Sequence, residues 1–490
     1  MKEKSKSCVI IGSGVAGMAA AIRMRNKGYR VDVYEANSFP GGKLSTESLK
    51  GYRFDMGPSV FTMPGYVDEL FVLSGKNPRD YFNFRQLDPV YRYFFEDGTV
   101  LNAPHGKENF AAEMSKHLGD RKESILKYLD HTEEVYHITA DVFLHNSLHK
   151  IRNFFSKQVL KGLLNFGKIG AFETMNEANE KAFKDKKLVQ IFNRYSTYNG
   201  SSPYLAPATL NVIPHLEIIE GAYYPEGGMV SITNALVQLG KDIGVTYHFS
   251  SPVSEIIIMD KKAIGINASG TKIFADVVIS NMDVFNSYKK LMPGVNRPEK
   301  TLKQDKSSSA VIFYWGIKNE FKELGLHNIF FSENYEEEFR TIFEKKSIYS
   351  DPTIYINITS KHSPEDAPAG SENWFTMINV PNNSGQDWDV LVNEARGNMI
   401  KKLNRILKTD LSKYIECEMI LDPRLVESRT SSAFGAIYGN ASNNKFAAFL
   451  RHPNFSKEIK NLYFCGGSVH PGPSIPLCLL SAKITTRLIR

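Results

Sequence analysis

Apolar residues fall into short runs near the start of the chain, and glycines sit in the breaks between them. Val9 to Ile11 form one run, Ala19 to Met24 a second and Val31 to Tyr34 a third. Gly12, Gly14 and Gly17 follow the first run, and Gly28 precedes the last. The pattern predicts a buried strand, a helix and a second strand. Between residues 245 and 281, three more runs are broken by Asp260-Lys261-Lys262 and Ser269-Gly270-Thr271. That reads as an antiparallel meander, after which Ala275 to Ser280 re-enters as a buried strand. Ala310 to Ile317 predicts a strand in a large sheet. Leu462 to Cys465 predicts another, stopped by Gly466-Gly467 before a helix that begins near Ile475. Residues 96–220 read as mostly helical, and no internal repeat is evident.

Chemistry enters at the first glycines. Gly12-Ser13-Gly14-Val15-Ala16-Gly17 is a G-x-G-x-x-G string between the predicted strand and helix. In such a unit the first glycine permits the tight turn and the second lets a pyrophosphate approach the backbone. The third lets the helix pack on the strand, and the free N–H groups of the helix N-terminus receive the phosphates. Glu35 closes the second strand and can accept hydrogen bonds from both ribose hydroxyls. A carboxylate there repels a 2′-phosphate, which disfavours NADP. Strand, helix, strand and acid in register predict a dinucleotide site.

The next segment carries Gly41-Gly42-Lys43 and then Phe54-Asp55-Met56-Gly57-Pro58-Ser59. Here the chain resembles two-dinucleotide-domain flavoproteins of the amine oxidase and carotenoid desaturase superfamily, which carry P-G-G-[RK] and F-D-x-G at this place. The resemblance implies FAD, with Gly41, Gly42 and Lys43 near its diphosphate and Gly57, Pro58 and Ser59 beside the flavin. It further implies that Val253 touches the adenosine through its backbone and that Asn281 returns the chain to the cofactor. Gly466 and Gly467, with the helix start at Ile475, Pro476 and Leu477, would meet the ribityl or pyrimidine edge. The implied fold class is α/β (mixed α+β): a Rossmann-like FAD domain, a mixed-sheet substrate domain and a helical lid. The expected segments are 1–95, 221–285 and 455–490 for FAD, 96–220 for the lid with a membrane-associated region, and 286–454 for substrate.

Across residues 8–483 the chain is similar to the bacterial-type phytoene desaturase family. Tyr224-Pro225-Glu226-Gly227-Gly228-Met229 matches its [YF]-P-x-G-G-[MT] stretch. The ending Ile475-Pro476-Leu477-Cys478-Leu479-Leu480-Ser481-Ala482-Lys483 looks more like the branch that desaturates hydroxylated carotenoids at C3–C4. Phytoene or diapophytoene desaturation is the alternative within the family, and an amine-oxidising FAD enzyme the alternative outside it. The implied reaction takes a hydride to oxidised FAD and a proton to a base or water, with oxygen or a quinone as final acceptor. His470 and Glu226 are the candidate bases.

Composition narrows the partners. Lys+Arg number 60 against 53 Asp+Glu, a mild excess that suits an anionic membrane or cofactor, and without a basic stripe it argues against nucleic acid. Four cysteines with no C-x-x-C pair argue against a disulfide framework and against a metal site, and fit a reducing compartment. No apolar run reaches the roughly 18 residues of a spanning helix. The expected location is cytoplasmic, on the inner face of the cell membrane; the oligomeric state is not legible. In residues 145–170, Ile151, Phe154, Phe155, Val159, Leu163 and Phe166 recur at helical spacing among Lys150, Arg152, Lys157, Lys161 and Lys168. That is the composition of an interfacial helix. Replacing Phe154 and Phe155 with Ser is therefore expected to release the protein from anionic liposomes while FAD stays bound. A wild-type protein that ignores liposomes in a flotation assay refutes this.

Overall fold

Five short strands lie side by side in the order Thr246–His248, Arg30–Tyr34, Ser7–Ile11, Val277–Ser280 and Leu462–Phe464, all parallel. The computed structural model describes residues 5–140, 149, 170, 172–444 and 451–490. The strands are short and apolar because a parallel sheet is covered on both faces. On one face, Cys8, Ile10, Val31 and Val33 pack with the buried alanines of the helix Val15–Asn26. The helices Val230–Asp242 and Ile475–Leu488 share that cluster through Leu236, Leu239 and Leu479. Ala19, Ala20 and Ala21 keep the first helix thin enough to sit between the sheet and its neighbours. On the other face lies the expected meander, Val253–Met259, Lys262–Ala268 and Thr271–Phe274. It adds Ile256, Ala263 and Ile266 to Val9, Ile11 and Val278.

The second sheet has seven strands, ordered Ile415–Leu421, Ser309–Ile317, Glu372–Val380, Ile354–Ile358, His327–Phe330, Tyr91–Phe94 and Val100–Ala103. The expected strand at Ala310 to Ile317 is its second strand, buried along its whole length. One face, with Phe313, Trp315, Ile356 and Trp374, packs under the helix Trp388–Leu407. The other face, with Ile312, Tyr314 and Phe375, meets Tyr52, Phe54 and Met56 of the N-terminal segment. The hairpin Tyr91–Phe94/Val100–Ala103 straddles the boundary expected at residue 95. It belongs to the seven-stranded sheet, joined to His327–Phe330 by a parallel pairing. Alternating aromatic positions permit either sheet; the partner strand, far away in sequence, decides.

Residues 107–219 supply the helices Lys107–His117, Lys122–Thr139, Met175–Ala182 and Lys186–Asn193, followed by single helical turns. The amphipathic stretch 145–170 lies outside the described residues apart from His149 and Gly170. Among the described residues no helix is long and apolar enough to cross a membrane.

A buried ion pair fastens the helical region to the second sheet. Arg194 Nη2 donates to Glu217 Oε1 at 2.6 Å and to the Tyr93 hydroxyl at 3.0 Å. Tyr195 and Tyr198 donate to the same carboxylate, and the guanidinium lies 4.2 Å from the ring centre of Tyr91. Removing one partner of such a pair leaves a desolvated charge without compensation. Arg194→Met is therefore expected to destabilise the protein by about 3–5 kcal/mol, read as a lower urea midpoint.

Candidate cofactor and substrate site

Where the first strand ends, the Gly12 N–H donates to Tyr34 O at 2.8 Å, so the loop is pinned to the second strand before the helix begins. A Cβ on Gly17 would stand 2.1 Å from Gly12 O. Helix and loop can therefore approach this closely only with glycine there. The helix N-cap, Gly14, provides no side-chain hydrogen bond, and the first turn holds no acid. Its N–H groups are thus uncapped by side chains, which is what an anion site at a helix end requires. The second glycine pair docks on this loop: Gly41 N–H donates to Ser13 O at 3.0 Å, and Gly14 and Gly41 form a parallel bridge. Gly41 has φ +100°, and a Cβ there would lie 2.3 Å from Leu44 O.

Glu35 is buried beside this loop. Its carboxylate accepts from Ser13 N at 2.8 Å and Ser13 Oγ at 2.9 Å, and from Asn37 N at 2.9 Å and Asn37 Nδ2 at 3.0 Å. These four donors fill the acceptor positions of a carboxylate. Two of them are side-chain groups that can give way to a ligand hydroxyl, while the two backbone N–H groups keep the acid aimed. The segment leading to Val253 lies alongside, since Ser251 N–H donates to Glu35 O at 2.8 Å.

Asn281 joins the N-terminal glycines to the C-terminal ones. Its N–H donates to Ile11 O at 2.8 Å and its Nδ2 to Cys465 O at 3.1 Å. A Cβ on Gly14 would be 2.7 Å from Asn281 Oδ1, and one on Gly466 would be 2.7 Å from Asn281 Nδ2. Ser481, from the helix Ile475–Leu488, accepts from Gly466 N–H at 3.1 Å and donates to His470 O at 2.9 Å. At the start of that helix, Ser474 caps the chain: the Leu477 N–H expected to face the flavin donates to Ser474 Oγ at 3.3 Å. Ile475 is buried at the same end, and Pro476 occupies the first turn.

Lys43 and the loop Gly57-Pro58-Ser59 stand between cofactor fold and second sheet. Lys43 Nζ donates to Ile437 O at 2.8 Å. Burial lowers the Lys43 pKa, opposed by the charge of Asp283 and by Cys478. Burial raises Asp283 in turn, opposed by Lys306 and Lys43, and burial lifts the Cys478 thiol to about 11. A Cβ on Gly57 would be 2.1 Å from Lys43 O, so this loop rides directly on the Lys43 backbone. Ser59 Oγ bonds the Tyr355 hydroxyl at 2.7 Å, a partner on the second sheet.

Two sequence motifs meet where no spacing argument placed them. Asp55 accepts from Met229 N–H at 2.9 Å, so F-D-x-G holds the turn of Y-P-E-G-G-M. Arg53 bridges Asp55 at 3.0 Å and Asp366 at 2.5 Å and 2.8 Å. Burial alone depresses the Arg53 guanidinium, but its bonds and charges toward Asp366 and Asp55 outweigh that and raise it. Arg53 and Asp366 are therefore site-organising residues the motif reading missed.

The two candidate bases part company. His470 is buried, with its N–H on His452 O at 3.0 Å, its carbonyl held by Asn454 and Ser481, and its ring edge-on to His149 at 5.9 Å. Glu226 is exposed on its turn, where its N–H donates to Asn83 O at 2.9 Å. An exposed carboxylate does not serve a water-excluded reaction, and the geometry assigns Glu226 to the turn.

A glycine cradle at an uncapped helix end, an oriented acid and a second glycine pair fit the adenosine diphosphate of a flavin nucleotide, and with two sheets they define a flavoprotein oxidoreductase. The chain belongs to the family of flavin containing amine oxidoreductases, whose model it matches over residues 15–490, and its cofactor is FAD. It is 51% identical to a 1-hydroxycarotenoid 3,4-desaturase of a Flavobacterium species over 99% of both chains. It is 32% identical to a 4,4'-diapolycopene oxygenase of a Methylomonas species, over 97% of this chain and 96% of that one. Among solved structures it resembles cyclohexylamine oxidase from Brevibacterium oxydans IH-35A, with a TM-score of 0.60 and 15% identity over 99% and 100% of the two chains. Putrescine oxidase bound to putrescine gives a TM-score of 0.63 at 13% identity over 99% of both. At that identity the two structures speak for the fold alone.

Glu35→Ala removes the acceptor that the sequence reading assigns to the ribose hydroxyls. FAD affinity is expected to fall at least about tenfold, since hydrogen bonds to charged groups contribute about 1.5–3 kcal/mol each. The protein then elutes from gel filtration without its yellow colour. Full flavin occupancy in the variant contradicts the assignment.

Proposed function

We propose that the protein introduces the C3–C4 double bond of a 1-hydroxylated carotenoid, working from the inner membrane surface. The observation that carries this reading is the 51% identity, over nearly the whole of both chains, with a 1-hydroxycarotenoid 3,4-desaturase. It agrees with the ending Ile475 to Lys483 and with the apolar face that the second sheet turns toward Tyr52, Phe54 and Met56.

When bound, FAD supplies the two-electron acceptor for the hydride removed from the carotenoid. The chain does the rest by position and exclusion. In this reading the polyene rod lies along the apolar cluster of Ile312, Tyr314, Phe375, Met377 and Met419, which forms its floor. Lys43, held on Ile437 O, fixes the junction between this floor and the cofactor fold. The proton to be lost lies beside an extended allylic cation and is already acidic, so a weak acceptor suffices. We assign that role to His470, whose backbone is clamped by Asn454 and Ser481. Gly12, Ser13, Gly14, Val15, Ala16 and Gly17 take the diphosphate in this reading, Glu35 the ribose and Val253 the adenosine. Gly466, Gly467 and the helix start take the flavin edge. Oxygen or a quinone regenerates the oxidised cofactor.

Conjugation in the substrate lowers the cost of hydride loss, because positive charge spreads over many carbons. Phytoene, with a short triene, lacks that advantage. In liposomes carrying phytoene, lycopene or 1-hydroxy-γ-carotene, the protein is expected to convert the hydroxylated pigment and leave phytoene intact. Lycopene made from phytoene, with the hydroxylated pigment untouched, places the protein in the phytoene desaturase branch instead.

A further inference from the structure

Hydride transfer leaves a flavin negatively charged, because two electrons arrive with one proton. Protein charges near the ring tune how readily the cofactor takes that charge. In the reading above, Gly466, Gly467 and the helix start at Ile475 take the flavin edge, and a group of cations stands behind them.

Arg451 is 4% exposed. Its Nη1 donates to Gly467 O at 3.4 Å, and its Nη2 to Asn440 O at 3.3 Å and Ser442 Oγ at 3.5 Å. A Cβ on Gly472 would lie 3.2 Å from its Nε, so the loop from Gly467 to Gly472 passes directly over the guanidinium. Asn440 accepts a second cation through its side chain, from Lys306 Nζ at 2.7 Å. Lys43 Nζ reaches the same stretch at Ile437 O. Ile437 to Ser442 thus gathers three cations beside the Gly467 loop. Lys43 and Lys306 are half-buried and remain open to a ligand, whereas Arg451 is covered.

Negative charge is short here. Asp283 is the carboxylate that acts on both Lys43 and Lys306, with a weaker pull on Lys306 from exposed Asp305. Asp283 Oδ1 already accepts from Phe285 N–H at 2.9 Å and Asn286 N–H at 3.4 Å. Cys478, the other neighbour of Lys43 and Arg451, is a neutral thiol at working pH, since burial lifts it to about 11. Burial lowers Arg451 to about 10, which leaves it protonated. Among the described residues, every hydrogen bond from the three cations goes to a neutral oxygen. Charges taken out of water are ordinarily paired. A surplus of positive charge behind the cofactor loop therefore has a use for an anion.

We propose that Lys306 and Arg451, together with Lys43, hold the negative charge of the reduced flavin and so raise the reduction potential of the bound cofactor above that of free FAD. The carotenoid C–H bond breaks with its electron pair going to the flavin as hydride. The adjacent proton leaves to the acceptor, and the charge gained by the cofactor stays opposite the cations until oxygen or a quinone removes the electrons. The proposal rests on the placement of the flavin edge at Gly466 and Gly467, and does not depend on which carotenoid is oxidised. Lys306 and Arg451 act on the charge of the cofactor, not on the reacting carbon.

The test measures the midpoint potential of the flavin, by reduction in equilibrium with a reference dye, in FAD-saturated wild type, Arg451→Met, Arg451→Lys and Lys306→Met. In the two Met variants the equilibrium constant for reduction is expected to fall at least about tenfold, which is about 30 mV for a two-electron couple. Arg451→Lys keeps the charge and is expected to stay near wild type; a guanidinium needed only for packing gives the same result in both Arg451 variants. Flavin content and melting temperature are measured on each protein, and Lys306→Met carries the test if Arg451→Met does not fold. Potentials equal to wild type in the folded Met variants overturn the proposal, as does a wild-type potential below that of free FAD. Loss of FAD affinity with an unchanged potential also overturns it, and assigns the cations to the diphosphate instead. None of these results touches the desaturase reading, which falls only if wild type leaves the hydroxylated pigment unconverted.

Discussion

The side chain of Asn281 is the point through which three distant parts of the chain meet. Its amide lies against Gly14 and Gly17 on one side and Gly466 on the other, and donates to Cys465 O. The fit works in both directions. Only glycine leaves room for the amide at those positions, and only a short planar side chain ending a buried strand fills the gap. The strand Val277–Ser280 lies between Ser7–Ile11 and Leu462–Phe464, so the glycine loops at the strand ends face each other across it. The cofactor cradle is thus a consequence of strand order, and strand order is protected by a close-packed side chain.

The second sheet depends on that arrangement through charged and hydroxyl contacts. Arg53 links Asp55 to Asp366, Asp55 holds Met229 N–H, and Ser59 holds Tyr355. The segment from Gly51 to Ser59 is therefore a strap between the glycine-loop fold and the seven-stranded sheet. Its polar atoms are spent on holding two bodies in register, which is where a short hydride path has to be defined.

Much of the nucleotide half was legible because its signals are local. Glycine spacing, a short apolar run before it and an acid after it sit within residues 9–35, and each has one physical reading. The meander and the strand at Ala310 to Ile317 were legible for the same reason. The Asp55–Met229 and Arg53–Asp366 pairings were not, because nothing local tells which carboxylate will find which partner. The sheet that Tyr91–Phe94 joins was not legible either, since alternation fixes a strand but not its neighbour. The cap that Ser474 gives the helix Ile475–Leu488 also appears only in place.

The cofactor sheet also has a meaning in time. Its strands come from residues 7–34, 246–248, 277–280 and 462–464, and its first helix is pinned from the far end of the sequence. Lys27 Nζ donates to Thr486 O and Ile489 O, and the Tyr29 hydroxyl to Arg490 O. During synthesis the glycine loop emerges first, but the strand that flanks Asn281 and the helix that covers Ala19 to Ala21 come hundreds of residues later. The nucleotide half thus leaves the apolar faces of Ser7–Ile11 and Val15–Asn26 incompletely covered until residues 462–488 have been made. In such a topology the flavin cradle closes only after those residues are made, and the most recognisable motif waits longest for its partners.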